Sequence, residues 1–278
     1  LPKIGLILPK ITSVADPNQN MPFLHHLEEL RWRLVKSSAA ILIMAIVIFI
    51  FTEPIINTVF LSLAREDFPL FQFLCWAFGM CANEIAIDLQ SVEFTGQFGI
   101  NLMLAIVGGI VVSFPFIFHQ LWGFVKPGLK QNELQTVRGI VWFVSILFFI
   151  GIAFGYFVIA PLTVQFFGNW QLADSIENNI TISSYLRTII STVFFTGLLF
   201  LLPVVIFIFS KLGIITPAFL KKYRKHALVA ILILSAIITP PDIFTQIIVT
   251  IPIYALYEFG ILLSKRVEKK RLKDSLVK

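Results

Sequence analysis

Long parts of this sequence carry no charge. Uncharged stretches run over residues 37–52 (16 residues), 94–125 (32), 139–173 (35), 188–210 (23), 226–241 (16) and 243–257 (15). A helix that crosses a bilayer needs roughly 20 mostly apolar residues. The second, third and fourth stretches meet that length outright. The first meets it if it starts near Leu34 and Lys36 snorkels to the interface, and the sixth if it continues through Glu258 to Leu263. With 57% hydrophobic residues, 14% charged and a mean hydropathy of +0.87, the chain departs from a soluble domain, which averages about 25% charged. Intrinsic disorder, which needs few apolar residues and high charge, is excluded too. The expected class is an all-α integral membrane protein with six transmembrane helices, the fifth and sixth shortened.

Lys and Arg accumulate in cytoplasmic segments of membrane proteins. With the N-terminus inside, 20 of the 22 basic residues fall in cytoplasmic segments, leaving only Arg65 and Arg187 outside. The outer segments then carry nine of the 16 acids. The predicted topology is therefore N-in, C-in. The excess of base is topological and suits contact with anionic lipid better than nucleic acid. Residues 1–20 do not read as a secretory signal, because the apolar run Ile4–Leu8 is shorter than an h-region.

Residues 23–35 (FLHHLEELRWRLV) repeat apolar residues at a helical period, with Glu29 and Arg33 as an i,i+4 pair in the favourable order. This reads as an amphipathic helix entering the first span. The outer segment 53–93 reads as a long aromatic-rich loop that either lies on the membrane surface or caps the external face. Its two cysteines, Cys75 and Cys81, are allowed a disulfide by compartment, although a bridge needs a turn between them. Pro161 is expected to open a second outer loop over 162–186, and Pro203 to kink the fourth span. The fifth span is short: residues 227–239 cover roughly 20 Å against a hydrocarbon core of about 30 Å. It ends in Pro240, Pro241 and Asp242.

The chain has no HExxH, GxSxG, P-loop or strand–GxGxxG–helix motif, and its four His residues do not gather with carboxylates. No enzyme activity, metal or cofactor is expected. A proton-coupled secondary transporter using Glu258 and Asp242 is the alternative, against the simpler reading that Glu258 reaches water or pairs with Lys265. Glu28, Glu29 and Glu133 stand among the basic residues of the inner face. They either neutralise their neighbours or bind a cationic peptide through guanidinium–carboxylate pairs.

Several stretches together resemble TatC, the multispanning component of the twin-arginine protein translocase. His26-Leu27-Glu28-Glu29-Leu30-Arg31-Trp32-Arg33 is similar to that family's HLxELRxR. Residues 115–129 (PFIFHQLWGFVKPGL) match its P-x-x-x-x-Q-x-W-x-F-x-x-P-x-L, with Glu133 following. Gly155-Tyr156-Phe157, then Pro161-Leu162, and the hairpin Thr239-Pro240-Pro241-Asp242-Ile243-Phe244-Thr245-Gln246 complete the likeness, which covers about residues 22–264.

The resemblance implies a receptor and core subunit in a bacterial cytoplasmic membrane, driven by the proton-motive force. It would bind the twin-arginine signal peptides of folded cargo, recruit single-span TatA/TatB-type partners, and self-associate. Glu29 and Glu133 would contact the peptide arginines, with His26 nearby and Arg31 orienting the N-terminal helix. Thr239, Thr245 and Gln246 would form a polar docking edge for a partner helix, and Pro240, Pro241 and Asp242 would shape the hairpin. One departure stands out. Where the family commonly has a Glu two residues before the fourth-span proline, this chain has Leu201, leaving Thr196, Gln165 and Asn101 as other sources of polarity. The expected organisation is a flexible segment 1–21, the membrane domain 22–264 and a basic cytoplasmic tail 265–278.

Overall fold

The computed structural model describes residues 22–65, 68–78, 89–125, 139–170, 173, 179–238 and 243–276. Among them the backbone is helical apart from short connections. A backbone in an apolar phase must satisfy its polar groups internally, and helices do this within one segment. Six principal helices follow in order: α1 Pro22–Ile50, α2 Gly96–Val125, α3 Ile140–Asn169, α4 Ile182–Lys211, α5 Arg224–Ile238 and α6 Ile243–Leu276. Five contain stretches long and apolar enough to cross a membrane. The exception is α5: its 15 residues rise about 22 Å, as the sequence leads one to expect. The sixth helix is not shortened. It is a single helix of 34 residues with Pro252 inside it, no proline follows to stop it, and it runs past position 264 into the basic tail.

Helices α1 and α2 form an antiparallel pair with a fixed register. Arg33 reaches the Gln120 carbonyl, Ser113 Oγ donates to the Ala40 carbonyl at 3.2 Å, and Thr52 Oγ1 lies 2.5 Å from Asn101 Oδ1. Seven residues forward along α1, from Arg33 to Ala40, are seven back along α2. The next step, from Ala40 to Thr52, is twelve forward and twelve back. Between these ties a Cβ on Gly109 would sit 2.9 Å from the Ala45 nitrogen and the Ile41 oxygen. The close approach is one that only a small residue permits.

The α3–α4 contact uses the same device. A Cβ on Gly151 would lie 2.9 Å from Gly197 Cα, and one on Gly155 would lie 3.0 Å from Val193 Cα. Phe114 of α2 stacks on Phe148 of α3 at 3.8 Å between centroids. Helix α6 packs along the second half of α4, where Ser210 Oγ donates to Ser264 Oγ at 2.7 Å in a buried pair.

Two helices change winding. In α4, Phe200 and Leu201 form a turn before Leu202–Lys211 restarts with Pro203 in its first turn, so the predicted kink is present. In α3 a π-helical turn spans Gly155–Ile159, and α-helix resumes at Ala160–Asn169. The expected outer loop from Pro161 is therefore corrected, since the helix continues through it to Asn169. The first turn of a restarted segment tolerates proline, and the preceding π turn re-aims the chain.

The segment after α1 is also more helical than its sequence suggests. Thr52–Ile55 is α, Ile56–Phe60 is π, Leu61–Ala64 is 3-10, and Pro69–Phe78 is again α. Such changes strand carbonyls, and tyrosines answer them: Tyr156 Oη donates to the Val59 carbonyl and Tyr185 Oη to the Phe60 carbonyl, both at 2.8 Å. Phe68 and Phe71 are buried while Phe73 and Trp76 are exposed, so this segment caps the bundle with one face and leaves aromatic rings on the other. The connections after α1 and before α4 are clipped together by backbone bonds from Gln90 to Ile180 and from Ile182 to Gln90. Cys75 is disulfide-bonded. The chain's other cysteine, Cys81, lies outside the described residues, as do 1–21 and Lys126-Pro127-Gly128.

Gly109→Ala should force α1 and α2 apart and cost about 1–3 kcal/mol as an overpacking change. Gly99→Ala, whose Cβ would meet nothing within 4 Å, should leave the melting temperature in detergent unchanged. Maleimide should label Cys75 only after reduction, and labelling of the unreduced protein at that position would contradict the bridge.

Candidate functional site

The register of α1 against α2 sets Glu29 level with the last turn of α2. The Glu29 carboxylate is held there by Arg33 from its own helix. Arg33 Nε and Nη2 both donate to Glu29 Oε1, at 2.9 and 2.6 Å. Arg33 Nη1 donates to the Gln120 carbonyl of α2 at 3.4 Å. The guanidinium lies over Gly123, where any Cβ would collide with Nη1 and Cζ. Both side chains are half-buried, 26% exposed for Arg33 and 33% for Glu29. Water therefore reaches the pair, and its value is specificity of geometry more than stability.

Around this pair Glu28, Arg31 and Trp32 are exposed. His26 lies on α1 three residues before Glu29, and His119 of α2 is exposed. Phe118 and Trp122 stack along α2 at 6.3 Å. Glu133 lies outside the described residues. The interhelical tie falls to Arg33, one turn beyond Glu29, whereas the resemblance implies Arg31 as the orienting residue. The i,i+4 spacing showed the Glu29–Arg33 pair in the sequence. No sequence signal showed that Gln120 and Gly123 would meet it, because that depends on the register.

The second group of expected residues lies where α5 meets α6. Thr239, Pro240, Pro241 and Asp242 fall outside the described residues. Thr245 is buried, and Gln246 Nε2 donates to the Leu232 carbonyl of α5 at 3.1 Å. Thr250 Oγ1 bonds Ser235 Oγ of α5 at 3.4 Å and the Gln246 carbonyl at 2.7 Å. These polar side chains brace α5 against α6 from within. The outward face of α5 is apolar, with Val229, Ile233 and Ile237 exposed.

Glu258 pairs with Arg224 at the start of α5, Nη2 to Oε2 at 2.6 Å, and accepts from Tyr254 Oη at 3.3 Å. Arg224, not Lys265, is the partner, because α5 and α6 converge at that end. Leu201 is half-buried in the α4 turn. Of the polar side chains offered as other sources of polarity, Thr196 Oγ1 bonds the Thr192 carbonyl and Asn101 meets Thr52. Gln165 is half-buried on α3. Among the described residues no cluster of metal-ligating side chains is present.

The family model for the Sec-independent protein translocase protein (TatC) matches residues 25–252. The chain belongs to the TatC family. A TatC from Blattabacterium sp. subsp. Periplaneta americana is 36% identical across 93% of this chain and all of that protein. TatCy of Bacillus subtilis is 32% identical across 92% of this chain and 93% of its own length. A crystal structure described as the twin arginine translocase receptor TatC superposes with a TM-score of 0.67 at 27% identity, over 87% of this chain and 99% of that one. The chain is thus a multispanning component of the twin-arginine translocase, a transport protein and not an enzyme. Protein translocation takes the place of the small-solute transporter that Glu258 and Asp242 left open.

Because Glu258 is already committed to Arg224, Glu258→Gln should leave cargo export in a complementation assay largely intact. A loss of export as severe as a null would show that the carboxylate does more than hold the end of α5.

Proposed function

We propose that this chain is the signal-peptide receptor and core subunit of its translocase, spanning a bacterial cytoplasmic membrane six times with both termini inside. The N-in orientation is supported by the distribution of Lys and Arg and by the disulfide at Cys75, which suits an oxidising outer side. Six crossings require the bilayer to thin or deform around α5.

In this reading Glu29 and Glu133 take the two arginines of the signal peptide, with Arg31 and His26 beside them. The observation that carries it is that Glu29, at the mouth of α1 and α2, already grips a guanidinium through two donors at 2.6 and 2.9 Å. Lys offers a compact ammonium in place of a planar fork, so a site of this kind selects Arg.

The α5–α6 edge is the docking place for single-span TatA/TatB-type partners. The outward apolar face of α5 meets the partner helix. Thr245 and Gln246 stiffen that face, and Thr239, Pro240, Pro241 and Asp242 form its outer end. Export of folded cargo draws on the proton-motive force, and copies of the receptor self-associate in the lipid.

A labelled twin-arginine peptide should bind the purified protein in detergent, and a Lys-Lys version should bind at least tenfold more weakly, about 1.4 kcal/mol. Glu29→Ala and Glu133→Ala should each abolish that preference while the protein still melts cooperatively. Equal binding of both peptides by folded wild-type protein would refute the assignment.

A further inference from the structure

Arg33 occupies the carboxylate that the reading above assigns to an incoming arginine. It does so with the chemistry that a peptide arginine would use, two guanidinium nitrogens on Glu29 Oε1. More than helix spacing holds it there. Its third nitrogen reaches across to the Gln120 carbonyl, and its plane fills the space over Gly123 that any other residue would fill with a Cβ. Arg33 is a long side chain and about a quarter exposed, so its guanidinium can swing off Glu29 toward water while the Ser113 and Thr52 ties and the Gly109 contact keep the helix register.

We infer that Arg33 is a built-in competitor: it fills Glu29 in the resting protein and is displaced when an arginine-bearing peptide binds. This rests on Glu29 being a peptide contact. The exchange replaces one guanidinium–carboxylate pair with another, so the new pair adds little net affinity. The displaced Arg33 keeps the Gln120 carbonyl as a nearby acceptor. A site that is open only a fraction of the time binds every ligand more weakly by that same fraction. Arg33 therefore sets how tightly a signal peptide is held, and hence how readily it is released, without setting the preference for Arg over Lys. The preference belongs to Glu29 itself.

Two variants separate this role from a positioning role. Arg33→Gln removes the competitor. Gly123→Ala changes no charge, but the three atoms nearest its Cβ all belong to the far end of the Arg33 side chain, so the guanidinium must move off its seat. Binding is read by fluorescence anisotropy of labelled twin-arginine and Lys-Lys peptides with the full chain in detergent, with melting curves for each variant. Both variants should bind both peptides more tightly by about three- to tenfold, with the ratio between the peptides unchanged. Gly123→Ala carries the test if Arg33→Gln fails to melt cooperatively. It also excludes a simple effect of lost positive charge. Weaker or unaltered binding in Gly123→Ala, or a collapse of the ratio in either variant, would overturn the inference in favour of Arg33 positioning Glu29. If folded wild-type protein shows no Glu29-dependent binding, the receptor assignment itself fails, and the competitor role falls with it.

Discussion

In an apolar phase no water completes the hydrogen bonds of the backbone, and each unsatisfied group costs several kcal/mol. Most of this architecture follows from that constraint. It makes the described chain helical wherever it is apolar. It also explains where side chains intervene. The winding changes from α to π to 3-10 between Thr52 and Ala64, and there Tyr156 and Tyr185 reach in from α3 and α4 to bond the Val59 and Phe60 carbonyls. The same tyrosines anchor the segment that caps this end of the bundle, so satisfying the backbone and fixing the tertiary arrangement are one act. Serines and threonines behave alike on a smaller scale. Among the described residues several of their hydroxyls return to a carbonyl of their own helix, such as Ser37, Ser145 and Thr196, and others, such as Ser113 to Ala40 and Ser210 to Ser264, cross to a neighbour.

Between helices, hydrophobic attraction is weak in lipid, so close approach and a few polar ties must set register. The α1–α2 pair shows how little is needed. Three ties at a constant offset, with Gly109 between them, leave one way to align two long apolar helices. That alignment brings the carboxylate of Glu29 to the end of α2 and gives Arg33 its second anchor at Gln120. At the other edge, Gln246 and Thr250 fasten a helix too short to cross an ordinary bilayer onto one that is long enough. The polarity of the α5–α6 hairpin is thus mostly internal, and α5 presents an apolar face outward.

The replacement of the family's fourth-span carboxylate by Leu201 is consistent with this thrift. Leu201 sits half-buried in the turn that divides α4, and the polar side chains that might have substituted, Thr196 and Asn101, are already bonded within the bundle. A charge at that point would need a partner or water, and neither is offered by those two residues.

Charge spacing and apolar length pointed to the helical class, the shortness of the fifth helix and the Glu29–Arg33 pair, and the proline at 203 to the interruption of α4. Each depends on residues close together in the chain. The sequence misjudged Pro161, which reads as the start of a loop until the preceding π turn is seen to accommodate it. It also misjudged the segment after α1, whose irregular helices need donors from α3 and α4, and the sixth helix, whose apolar part is short but whose backbone has no reason to stop. It left Glu258 to reach water or pair with Lys265; the carboxylate is a third exposed, and convergence of α5 and α6 supplies Arg224 as its partner. The meeting of Arg33 with Gln120 and Gly123 was invisible for the same reason. Arg33 and Gln120 are 87 positions apart in the chain, and the two helices that carry them can slide past each other by whole turns with little change in apolar pattern. Only the packing of Gly109 against the α1 backbone, together with the ties on either side of it, decides which turn faces which.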